Sequence, residues 1–112
     1  MEILENKNNM TILRKGEFTY LISYKTPIAK VSNTIETDPE KTNNYGIYFT
    51  NAWNYSRTTL KQLYNFIELY TTQRDNTGNT ISYMLGKEKN KKEYIKKLIN
   101  DNIIKIINKE AL

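Results

Sequence analysis

Residues 17–25, Glu17-Phe18-Thr19-Tyr20-Leu21-Ile22-Ser23-Tyr24-Lys25, decide the fold class. Phe18, Tyr20, Ile22 and Tyr24 fall on one side of an extended chain, and Thr19, Leu21, Ser23 and Lys25 on the other. A period of two is the signature of a strand. Upstream, Thr11-Ile12-Leu13-Arg14 reads as a short first strand, with Lys15-Gly16 as its turn. Residues 1–9 are polar and aperiodic and read as a flexible start. Downstream, Thr26-Pro27 punctuates the strand, because proline lacks the donor that a central ladder needs. Ile28-Ala29-Lys30-Val31 reads as the return strand, and Gly46-Ile47-Tyr48-Phe49-Thr50 as a further short one.

The periodicity then changes. Ser56 is a suitable N-cap, and Tyr55 before it is placed to pack on Leu60 as a hydrophobic staple. Leu60, Leu63, Tyr64, Phe66, Ile67 and Tyr70 recur at helical spacing, which predicts a helix over 56–73. Arg74 to Asn79 ends it with a turn at Gly78. Residues 81–85 are too few for periodicity to separate strand from helix. A second helix is predicted over about Asn90 to Glu110, with Ile95, Leu98, Ile99, Ile103, Ile106 and Ile107 along one side. That arc covers about half the circumference and Ile104 lies outside it, wider than one neighbour needs. An uncovered isoleucine ridge marks an interface, so Ile104 and Ile107 are candidate homodimer contacts. The expected architecture is α+β: an antiparallel sheet of three to four strands, one packed helix and a C-terminal amphipathic helix. All 112 residues form a single domain, β-rich over 10–55 and helical over 56–112.

Composition narrows the chemistry. The chain has no cysteine and no histidine, so disulfides, thiolate metal sites and Ser-His or Cys-His catalysis are excluded. Glu36, Asp38 and Glu40 alternate in the loop over 33–45, without the glycine and distal glutamate of a helix–loop–helix calcium site. They read as a solvated acidic loop. No catalytic residue, metal or cofactor is expected, and the protein reads as a binder, not an enzyme. The first residues carry no apolar core and no apolar run spans a bilayer, so a cytoplasmic protein without membrane contact is expected.

The net charge of +5 is uneven. Residues 1–56 hold six Lys/Arg against six Asp/Glu, and residues 57–112 hold eleven against six. Lys87, Lys89, Lys91, Lys92, Lys96 and Lys97 crowd into residues 86–97 with two glutamates. Two readings stand side by side: a patch for an RNA or DNA backbone or an acidic partner, and a solvated helix start whose Glu88 and Glu93 pair locally. Lysines without clustered arginines favour non-specific contact over base readout. A second cluster is Tyr48, Phe49, Trp53 and Tyr55 with Arg57, read either as a stacking or interface platform centred on Trp53, Tyr48 and Arg57, or as core.

Ser23-Tyr24-Lys25-Thr26-Pro27-Ile28-Ala29, then Tyr48-Phe49-Thr50, Trp53, Tyr55-Ser56-Arg57-Thr58-Thr59 and Lys61 resemble a pattern in small uncharacterised proteins of phages and mobile elements of low-GC bacteria. The lysine of that pattern is often followed by histidine, and Gln62 stands there in this chain. The resemblance implies a phage-type inhibitor of a host defence system, anti-CRISPR-like, which occludes a protein or ribonucleoprotein. The residues themselves also support an accessory nucleic-acid-binding protein that uses the basic C-terminal segment.

Overall fold

In the computed structural model, six strands and three helices form two layers; residues 1–7, 9–33 and 46–112 are described. The strands are β1 (Glu2–Lys7), β2 (Met10–Lys15), β3 (Phe18–Ser23), β4 (Thr26–Ser32), β5 (Ile47–Thr50) and β6 (Ile104–Ile107). Between β5 and β6 lie α1 (Arg57–Tyr70), α2 (Ile81–Lys87) and α3 (Lys91–Asn100). The sheet runs β1-β2-β3-β4-β5-β6, antiparallel up to β5 and parallel between β5 and β6. That last pairing is allowed because the three helices supply the long crossover that parallel neighbours need. The α+β class stands, with a mixed sheet larger than the antiparallel one expected.

Two-residue hairpin loops set the registers. Lys15 pairs with Phe18 around Gly16, whose φ is +62°. Ser23 pairs with Thr26, so Tyr24 and Lys25 form the turn and do not extend the strand, both with positive φ (50° and 66°). Primed turns match the twist of the strands they join, and here a Tyr-Lys pair occupies one without glycine. Residues 2–7, expected to be a flexible start, are the edge strand β1. It bears Glu2, Glu5 and Lys7 and a bulge between Ile3 and Glu5, features that discourage edge-to-edge pairing.

The inner face of the sheet carries Ile12, Leu21, Ala29, Val31, Ile47 and Phe49, all buried. The helices lay Leu63, Phe66, Ile67, Ile81, Leu85, Ile95 and Leu98 on it to form one core. Helix α1 starts as expected, because the Ser56 hydroxyl accepts from the Thr59 amide at 3.1 Å. Tyr55, expected to staple it, is 84% exposed, and Trp53 is the aromatic that goes inward.

The C-terminal region departs most from expectation. The predicted helix over 90–110 stops at Asn100, and Asn102 takes a left-handed φ of +61°. The Ile103 amide then donates to the Leu98 carbonyl at 2.9 Å, closing the last turn. Asparagine tolerates this conformation better than other non-glycine residues, so Asp101-Asn102 is a genuine stop signal. Ile104-Lys105-Ile106-Ile107 continues as β6, a β-branched run suited to a strand. Residues 56–112 are therefore not uniformly helical. Residues 81–87 are helical. The acidic residues Glu36, Asp38 and Glu40 lie outside the described residues.

Candidate nucleic-acid interface

All three helices pack on one face of the sheet, and none of them covers the opposite face. Pairing registers place its residues. Leu13 lies opposite Tyr20, Tyr20 opposite Lys30, Lys30 opposite Tyr48, and Tyr48 opposite Lys105. One row thus crosses five adjacent strands. A second row holds Lys15, Phe18 and Ser32. Each position alternates with a buried neighbour: Leu21 follows Tyr20, Ala29 precedes Lys30, and Phe49 follows Tyr48.

The rows form one aromatic cluster. The Phe18 ring centroid lies 6.4 Å from that of Tyr20 and 6.0 Å from that of Tyr48, the latter edge-on. Lys30 Nζ stands 4.4 Å from the Phe18 centroid and 5.2 Å from that of Tyr48. The ammonium is held over two π-faces, and among the described residues it pairs with no carboxylate. Phe18, Tyr20, Lys30, Tyr48 and Lys105 are all half-buried, with part of each left to solvent. Lys15, Lys30 and Lys105 supply three positive charges, and no Asp or Glu shares their strand positions on this face among the described residues. An open cleft of about 220 Å³ continues the cluster past Tyr20, lined by Met1, Leu13, Lys15, Ile22, Pro27 and Leu112.

The residues singled out in the sequence are dispersed. Tyr48 belongs to the cluster. Trp53 is 8% exposed and packs on Phe49 at 6.0 Å between centroids, so it is core. Arg57 is the first residue of α1, on the helical layer, and is exposed. Ile104 is 1% exposed and lies opposite Ile47, so it cannot serve as a dimer contact; Ile107 is half-buried opposite Thr50. The width of the isoleucine arc, which argued for a homodimer, arose from winding a strand onto a helical wheel.

The six lysines of 87–97 lie on the helical layer, on or near α3, and three already have local partners. Lys91 donates to the Leu85 carbonyl and sits 4.0 Å from Glu68. Lys96 pairs with Glu93 at 3.6 Å. Lys87 stands 5.9 Å from the Tyr83 ring. Lys89 and Lys97 are exposed and Lys92 is half-buried. This patch and the sheet face belong to opposite layers and do not form one site.

What the sequence left unassembled is the contribution of Phe18, Tyr20, Lys15, Lys30 and Lys105. Alternation already placed Phe18 and Tyr20 on one side. Their meeting with Lys30, Tyr48 and Lys105 depends on register across four strand pairs, one of them parallel, and no local pattern reports that.

Among the described residues, no three Asp or Glu side chains gather as a metal site, and no helix is long and apolar enough to cross a membrane. No curated protein and no solved structure matches the chain. Residues 2–83 match the family of unknown function DUF8033, a span that holds β1 to β5, α1 and the start of α2 but not α3 or β6, and the chain belongs to that family.

Proposed function

We propose that this chain is a non-catalytic binding protein that holds single-stranded nucleic acid on the face of its sheet turned away from the helices. The observation that carries this reading is the cross-strand row Tyr20–Lys30–Tyr48–Lys105 with Phe18 beside it. Aromatic faces accept stacked bases whatever their sequence, and ammonium groups between them meet the backbone phosphates. A duplex keeps its bases stacked inside and offers no face to these rings, so single strands are favoured. Lysine contacts supply charge without base readout, so sequence preference is weak.

The setting implied by the resemblance to phage and mobile-element proteins, a phage-type inhibitor of a host defence system, is one use of such a face. An inhibitor that occludes a ribonucleoprotein would find its ligand in the exposed RNA of that complex. Capture from a CRISPR-bearing lysate that is lost on nuclease treatment would support this use, and capture that survives nuclease would move the contact to protein.

The direct test is fluorescence anisotropy with labelled oligo-rU and oligo-dT of about ten nucleotides at low salt. Tyr48→Ala should weaken binding about five- to hundredfold, the range of one lost base stack. Lys97→Gln on α3 should leave it unchanged. Equal affinity for wild type and Tyr48→Ala, with both folded by circular dichroism, would reject the sheet face as the site.

A further inference from the structure

We infer that residues 108–112 form a strap across the sheet face turned away from the helices and compete with the single strand for it. This inference rests on the reading of that face given above, and adds a built-in control of its occupancy.

After β6, at one edge of the sheet, a single 3-10 turn (Lys109–Ala111) packs on β4. Leu112 then lines the cleft beside Tyr20, with Leu13, Ile22 and Pro27. The segment therefore crosses the face that the helices leave bare. Tyr20 is the shared residue, since it belongs both to the aromatic cluster and to the cleft that Leu112 borders. A base stacked on Tyr20 and the Leu112 side chain would need overlapping space.

The strap is lightly held. Its hydrogen bonds among the described residues are internal: Glu110 N to Asn108 Oδ1 at 3.0 Å, and Ala111 N to Asn108 O at 2.8 Å. Residues 108–111 are exposed and Leu112 is half-buried, so one apolar side chain anchors the segment. Segments with few buried contacts open at low cost. The strap lies beyond residues 2–83, so it is an addition to the part of the chain that matches the family.

The consequence is quantitative. If the face is available only when the strap is off, the measured dissociation constant is the intrinsic one divided by the open fraction. A half-buried leucine favours the closed form by roughly three- to tenfold, and its loss should tighten binding by the same factor.

The test compares wild type, Leu112→Ala and a protein lacking residues 108–112, titrated with oligo-rU of about ten nucleotides. Both variants should bind roughly three- to tenfold more tightly. In wild type, saturating oligonucleotide should move the amide resonances of Glu110 and Ala111 to positions typical of unfolded chain. Unchanged or weaker binding by both variants, while wild type binds, overturns the strap and leaves the sheet face standing. Absence of binding by all three removes the sheet face as a site, and the strap with it.

Discussion

Asp75 shows how one side chain fixes a loop and couples it to the core. Its Oδ1 accepts from the Thr77 amide at 2.9 Å, the Thr77 hydroxyl at 2.6 Å and the Asn79 amide at 3.0 Å. Its Oδ2 accepts from the Tyr94 hydroxyl at 3.2 Å, which ties the loop to α3. Burial would raise the Asp75 pKa, but the hydrogen bonds from Thr77, Asn79 and Tyr94 outweigh it and hold the carboxyl below its ordinary 3.8. Tyr94 moves the other way: burial first, then the Asp75 charge and hydrogen bond, push its hydroxyl above the ordinary 10.0. A lowered carboxyl pKa contributes stability above the unfolded value and loses it as pH falls through the folded one. A raised tyrosine pKa contributes below the unfolded value and loses it as pH rises through the folded one. The contact therefore stabilises the fold between these limits, from about pH 4 to about pH 10. Tyr94→Phe keeps the buried ring and removes the hydroxyl, so it should cost about 1 kcal/mol near neutrality. Urea midpoints measured against pH should show a shallower acid limb in the variant and less loss of stability above pH 10. Superimposable wild-type and variant profiles would show that the Asp75–Tyr94 bond is not made in solution.

Among the elements, those governed by local chemistry were legible and those governed by partners were not. The alternation of residues 18–23 gave β3, and Ser56 with its apolar stripe gave α1. Strand β1 was missed because Glu2, Glu5 and Lys7 make it look like a tail; it is ordered by pairing with β2, a long-range fact. Isoleucines at 103–107 fitted a helical wheel as well as a strand, and the discriminating residue was Asn102. The helix must end there once the asparagine turns left-handed, and the parallel partner β5 then receives the isoleucines. This reverses a mutational expectation. Placed on a dimer-facing ridge, Ile104→Glu would spare the fold. Buried opposite Ile47 with 1% exposure, it places an unpaired carboxylate in the core. A cost above about 3 kcal/mol is expected, a large part of the stability of a domain this size. The variant should lose its cooperative thermal transition or melt far below wild type in circular dichroism. Ile106→Glu on the same strand, 37% exposed, should be tolerated far better. Equal melting of the two variants would contradict the placement of β6.

At the scale of the whole molecule, the two-layer build separates two basic surfaces that lie near each other in composition but not in space. The excess of lysine in residues 57–112 is divided between the α3 side and Lys105 on the sheet face, where it joins Lys15 and Lys30 from the electrically balanced first half. Composition pointed to α3, because six lysines within residues 86–97 are conspicuous and three on separate strands are not. The geometry favours the sheet face, because its lysines stand among aromatic rings, whereas Lys91 and Lys96 are already paired with Glu68 and Glu93. Salt dependence separates the two surfaces without a structure of the complex. Each phosphate neutralised on a single strand releases counterions and contributes about −0.7 to the slope of log K against log salt. Replacing Lys30 and Lys105 together with glutamine should therefore make the slope shallower by about 1.4, with weaker binding at every salt concentration. Replacing Lys96 and Lys97 together should leave the slope where it was, since both lie on the helical layer. The two double variants carry the same net charge, so a general electrostatic attraction would change both slopes alike and only a defined contact surface separates them. If the α3 pair changes the slope and the sheet pair does not, the nucleic acid lies along the helices, and the aromatic row serves the fold alone.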